Sequence, residues 1–141
     1  MLKGEFQHNI DAKGRMIMPA KFRDALGDCF VATKGLDKCI FVFPLPEWEA
    51  LDTKLSELSL SKGREIQRFF YGGMTRCEID KQGRILIPAN LREYAGLEKD
   101  VAVIGLTKRA EIWSKANWDL QNEKFIQNTD AVALQMEDLG I

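Results

Sequence analysis

The chain writes one phrase twice. Residues 10–23 read IDAKGRMIMPAKFR and residues 79–92 read IDKQGRILIPANLR, 69 positions apart. The identities are Ile10/Ile79, Asp11/Asp80, Gly14/Gly83, Arg15/Arg84, Pro19/Pro88, Ala20/Ala89, Arg23/Arg92 and Gly27/Gly96. One inserted residue then moves the offset to 70, and Val31/Val101, Ala32/Ala102, Gly35/Gly105, Leu36/Leu106 and Trp48/Trp118 align. Self-similarity at a fixed period decides architecture before any local signal does. It divides the 141 residues into one copy over 5–48, connecting helices over 49–75, a second copy over 76–119 and a helical tail over 120–141.

Each copy reads the same way locally. EFQHNID alternates apolar and polar residues, the period of a half-buried strand. Asp11-Ala12-Lys13-Gly14 puts Asp at the first and Gly at the fourth position of a type I turn, where Asp accepts from the backbone and Gly takes positive φ. RMIMP follows as a second strand, so Asp11 to Arg15 reads as a hairpin tip with a glycine bulge. Asp80-Lys81-Gln82-Gly83-Arg84 repeats it. Pro19 and Pro88 stand where a helix begins, and AKFRDAL and ANLREYA read as short helices stopped by Gly27 and Gly96. FVATKG and CIFVF are two further strands around a turn at Leu36-Asp37-Lys38, and VAVIG and AEIW repeat them. Each copy is therefore β-β-α-β-β.

About 44 residues bury little core alone. The copies are expected to pack face to face, about a pseudo-two-fold axis, into one barrel-like unit. The fold class is α+β and β-rich, with flanking helices, and the symmetry places both tips equivalently. After the first copy, Trp48, Leu51, Leu55 and Leu58 recur at helical spacing, followed by Ile66, Phe69 and Phe70, with Ser61 or a neighbour as cap of the second piece. After the second copy, residues 116–141 read as a helix in two parts, with Thr129 as N-cap and Trp118, Phe125, Val132 and Met136 as its apolar residues. These helices either cover the barrel or build contacts between subunits.

Composition excludes several classes. The chain is 45% apolar and 29% charged, an ordinary globular mixture. Its longest apolar run, CIFVF, is far short of the ~20 residues of a membrane span. The N-terminal MLKGEFQHN has no apolar h-region, so a cytoplasmic protein is expected. Three cysteines, Cys29, Cys39 and Cys77, without a C-x-x-C pair, argue against a disulfide scaffold or a zinc site. The single histidine, His8, lies in a strand pattern and lacks partners for a metal. No H-E-x-x-H, P-loop, G-x-G-x-x-G or nucleophile–base–acid set is present. Neither enzymatic activity nor a cofactor or metal is expected.

Net charge is −1, which by itself argues mildly against nucleic acid. Its distribution is uneven: +3 over residues 1–23, +2 over 74–92 and −4 over 119–141. The repeated segment is basic and the tail acidic, and such local fields govern steering.

Turn chemistry accounts for Asp and Gly in D-x-x-G-R, but not for Arg. One account pairs Arg15 with Asp11 and Arg84 with Asp80 across the tip. Exposed ion pairs add little to stability, a weak reason for writing one twice. The other account is that a stiff turn presents a guanidinium, flanked by Lys13 or Lys81, to an anionic partner. Arginine's planar fork suits phosphate and the guanine edge, and a two-stranded ribbon fits a major groove. Asp11, Gly14, Asp80 and Gly83 would then support the turns, while Arg15, Arg84, Lys13 and Lys81 contact DNA. Lys3, Lys21, Arg23, Arg76 and Arg92 are second-rank candidates; Arg23 and Arg92 either join them or pair with acids inside the copy.

MLKGEFQHNIDAKGRMIMPAKFR, EIDKQGRILIPANLR and the intervening FPLPEW resemble the MraZ family, whose members carry two SpoVT/AbrB-type modules. The resemblance reaches to about Trp118. It implies a swapped-hairpin-type barrel, ring-shaped homo-oligomers and a sequence-specific, nucleoid-associated transcription factor. That factor acts on double-stranded promoter DNA with repeated sites, in the division and cell-wall gene cluster and at its own gene. The family's D-x-x-x-R motif falls on Asp11–Arg15 and Asp80–Arg84. Gln82 stands where the first copy has Lys13, so the tips need not contribute equally. The rival readings are a protein-interaction scaffold with no DNA role, which the acidic tail favours, and an antitoxin-like module.

Overall fold

The computed structural model describes residues 1–141. The first copy supplies β1 (Lys3–Asn9), β2 (Arg15–Ile17), α1 (Ala20–Leu26), β3 (Cys29–Lys34) and β4 (Ile40–Pro44). Helices α2 (Leu45–Ser56) and α3 (Leu60–Gly73) follow. The second copy supplies β5 (Thr75–Glu78), β6 (Arg84–Leu86), α4 (Ala89–Ala95), β7 (Asp100–Leu106) and β8 (Ala110–Ser114). The chain closes with α5 (Lys115–Gln127) and α6 (Thr129–Asp138).

All ladders are antiparallel. Six strands form one sheet in the order β1-β7-β8-β4-β3-β5, and β2 pairs with β6 in a separate two-stranded ribbon. Exchanging the two copies turns the six-strand order into its own reverse, so a pseudo-two-fold axis runs between β4 and β8. The fold is α+β, as expected.

Two expectations need correction. The sheet does not close into a hydrogen-bonded barrel; it is open, with β1 and β5 at its edges. The copies also interleave instead of packing face to face as finished units. β1 pairs with β7, β5 with β3, and β2 with β6, each pair joining the two copies. The predicted hairpin reduces to its tip and one bridge, Ile10 to Met16. Beyond that bridge β1 is committed to β7, so the three-residue β2 completes its ladder with the matching β6.

The core lies beneath the ribbon. Leu2, Met16, Met18, Phe22, Phe30, Ile40, Ile85, Leu91 and Ile112 are among its fully buried large side chains, drawn from both copies. Phe22 and Leu91, at equivalent positions of α1 and α4, anchor those helices. Pro19 and Pro88 precede the helices with φ of −49° and −57°, and Gly27 and Gly96 end them at positive φ.

A second cluster holds Phe41, Phe43, Trp48 and Trp113 under α2, α3 and α5. Phe70 stacks on Phe41 with centroids 6.4 Å apart, and Phe69 meets Tyr94 edge-on. The connecting helices therefore cover the sheet's other face. Ser59, a neighbour of Ser61, caps α3 by accepting from Lys62 N. Asn128 occupies the N-cap of α6, and Thr129 is its first helical residue. No helix is long and apolar enough to cross a membrane.

Candidate nucleic-acid interface

The two tips have the same geometry to within a tenth of an ångström. Asp11 Oδ1 accepts from the backbone N–H groups of Lys13 and Arg15, both at 2.9 Å, and its Oδ2 accepts from Arg15 Nε at 2.8 Å. Asp80 Oδ1 accepts from Gln82 N at 2.8 Å and Arg84 N at 2.9 Å, and its Oδ2 from Arg84 Nε at 2.8 Å. One carboxylate thus closes the turn and fixes the arginine. The Arg15 backbone N–H, followed by its side chain and the Lys13 N–H, holds the Asp11 carboxyl below the usual carboxylate range. Arg84 and Gln82 do the same for Asp80.

Gly14 and Gly83 take φ of +85° and +78°, which L side chains rarely adopt. Each is also pressed by an arginine of the other copy. A Cβ on Gly14 would lie 2.8 Å from Arg92 Cζ, and one on Gly83 would run into the Arg23 guanidinium. Their carbonyls are used as well: Gly83 O accepts from Met18 N and Gly14 O from Ile87 N, each at 2.9 Å. Each tip is therefore clamped by the opposite copy.

Arg15 and Arg84 spend their Nε atoms on aspartate, and neither guanidinium makes another hydrogen bond within the chain. Their side chains are 33% and 30% exposed, so the outer ends of both forks face solvent. In the ribbon Arg15 lies opposite Leu86, and Arg84 opposite Ile17. Opposed residues share a face, so both arginines stand on its outer face while Met16 and Ile85 point into the core. Lys13 and Lys81 are exposed beside them.

The second-rank residues divide. Lys21 and Arg76 are exposed, and Lys21 Nζ lies 5.9 Å from the Phe6 ring centroid. Lys3 sits at the end of β1 remote from the tip. Arg23 and Arg92 pair with no acid. Arg23 Nε donates to Met18 O at 3.0 Å, and Arg92 Nε is buried without a partner. Their packing on the opposite glycines is the feature of the candidate site that the sequence did not reveal. The one available signal was an arginine at the same offset in both helices. His8 is half-buried, and burial, then the Arg23 charge, pushes its pKa down.

The protein-family model described as "MraZ protein, putative antitoxin-like" matches residues 1–68 and again 70–137. A transcriptional regulator MraZ of Halothermothrix orenii is 52% identical over 143 residues, spanning all of both chains. The protein of that name in Thermoanaerobacter sp. strain X514 is 54% identical over 147 residues, again covering both chains fully. That of Desulforamulus reducens is 52% identical over 99% of each. With two matches of the family model and full-length relatives above half identity, this chain belongs to the MraZ family.

Proposed function

We propose that this chain is a DNA-binding transcriptional regulator whose β2/β6 ribbon enters the major groove of promoter DNA. The observation that carries the reading is the paired, pre-aimed guanidiniums on one exposed ribbon face, each oriented through Nε with the rest of its fork free. A bidentate arginine contact to guanine or phosphate needs that free, rigid fork. Lys13 and Lys81 add phosphate contacts that position the ribbon without reading sequence. The names of the full-length relatives support a role in transcription.

One subunit brings few positive charges, so the active form is a ring-like homo-oligomer that grips repeated sites together. The exposed apolar residues of α5 and α6, among them Phe125, Ile126 and Leu134, lie among the acids of the tail. The exposed part of α3 carries Leu60 and Ile66 with Lys62, Arg64 and Arg68 against the single acid Glu65, a net positive surface. These surfaces are complementary in charge and differ from each other, as a head-to-tail ring requires. The family resemblance makes the division and cell-wall cluster, including this chain's own promoter, the DNA to test, and a cytoplasmic, nucleoid-associated location follows from that role.

Footprinting on DNA upstream of the chain's own gene tests the reading. Wild-type protein should protect repeated sites at regular spacing, and Arg15→Ala or Arg84→Ala should abolish or strongly weaken the protection. Unchanged footprints in both variants, or none with wild type, would overturn it; the latter favours a protein-interaction scaffold.

A further inference from the structure

The outer face of the ribbon carries two aliphatic side chains that the turn chemistry leaves unexplained. Ile17 is 46% and Leu86 59% exposed, whereas Met16 and Ile85 between them are 1% and 2% exposed. Ile17 lies opposite Arg84 and Leu86 opposite Arg15, so the face presents two apolar groups and two guanidiniums in a diagonal pattern. In an antiparallel pair the diagonal neighbours Arg15 and Arg84 are roughly 7–8 Å apart. Ile17 and Leu86 are also equivalent positions of the two copies, 69 residues apart. A single exposed aliphatic needs no explanation. A matched pair, set between two fixed arginines on a ribbon that presents no unpaired carboxylate, is a designed surface.

Charge complementarity identifies its occupant. The flanking groups are Arg15, Arg84, Lys13 and Lys81, and the only acids at the tips, Asp11 and Asp80, are already bound to the arginines. A polyanion with apolar points at its surface matches this face. In the major groove, about 12 Å wide, the apolar group among the base edges is the thymine C5-methyl. We propose that Ile17 and Leu86 are specificity-determining residues that pack on thymine methyl groups beside the bases read by Arg15 and Arg84. This rests on the DNA-binding reading above. The arginines supply affinity and the guanine contact, and the aliphatic pair adds a preference for thymine at neighbouring positions.

The test uses the full chain and DNA upstream of its gene, amplified with either thymidine or deoxyuridine triphosphate. Uracil keeps the pairing edge and O4 of thymine and lacks only the methyl. Affinities are measured for wild type, the double variant Ile17→Ala with Leu86→Ala, and the double variant Ile17→Thr with Leu86→Thr, which keeps strand propensity and one methyl per site. Wild type should bind the uracil DNA several-fold more weakly. The alanine pair should bind thymine DNA as weakly as wild type binds uracil DNA and be indifferent to the exchange, with the threonine pair between. Equal wild-type affinity for both DNAs overturns this inference and leaves the DNA-binding reading standing. No binding of either DNA overturns both. Lower particle mass of the double variants by light scattering, with the thymine preference retained, assigns the face to a second copy of the chain and also overturns it.

Discussion

At the scale of single residues, each tip depends on an aspartate with three acceptor contacts and a glycine at positive φ beneath an arginine of the other copy. Asp11 and Asp80 have folded pKa values lowered from 3.8 by the backbone N–H groups and arginines they bind. A lowered carboxyl pKa stabilises the fold fully above the ordinary carboxylate range, and that stabilisation is lost as pH falls through the lowered value. Asp11→Asn should therefore be less stable than wild type near neutrality, and the gap should narrow in strong acid; urea unfolding across pH checks this. Gly14→Ala forces a side chain into positive φ and against Arg92, and should cost about 1–2 kcal/mol from the backbone alone, read as a shift in the urea midpoint. The sequence announced these roles plainly, because turn chemistry is local. It did not announce that Arg23 and Arg92 press on the opposite copy's glycines, since nothing near either arginine specifies a partner 60 or 78 residues away.

At the scale of elements, the strands and short helices follow their periodicities and stop signals, so their existence was legible. Pairing was not. A repeat leaves two solutions open for each strand, its own copy or the other, and local pattern fits both. The three residues of β2 illustrate the point: with β1 committed to β7 beyond the Ile10–Met16 bridge, they pair with β6. Helix starts shifted by a residue or two, as element ends do: Ser59, a neighbour of Ser61, caps α3, and Asn128, one residue before Thr129, stands at the N-cap of α6 without a side-chain cap bond. Helices α1 and α4 hold the ribbon against the core through Phe22 and Leu91, both fully buried. Leu91→Ala should cost about 2–5 kcal/mol, and Ser59→Ala, which removes the α3 cap, about 1 kcal/mol, both measurable by chemical denaturation. Leu91→Ala loosens the floor beneath the tips, so its DNA affinity should fall with stability; Ser59→Ala lies away from the ribbon and should leave affinity unchanged.

At the scale of the whole molecule, pseudo-symmetry sets both arginines on one face of the β2/β6 ribbon, and the proposed assembly would multiply that face. Leu134→Glu places a charge within the exposed apolar surface of the tail helices and should lower particle mass by light scattering and weaken binding to multi-site DNA. A single-site duplex should be bound nearly as before. The central claim is that both guanidiniums contact DNA, and affinity as a function of salt measures it most directly. Each phosphate contact contributes about −0.9 to the slope of log affinity against log salt. Compared with wild type of equal particle mass, the double variant Arg15→Ala with Arg84→Ala should bind far more weakly and with a shallower slope. The same affinity and the same slope in the variant would contradict the account.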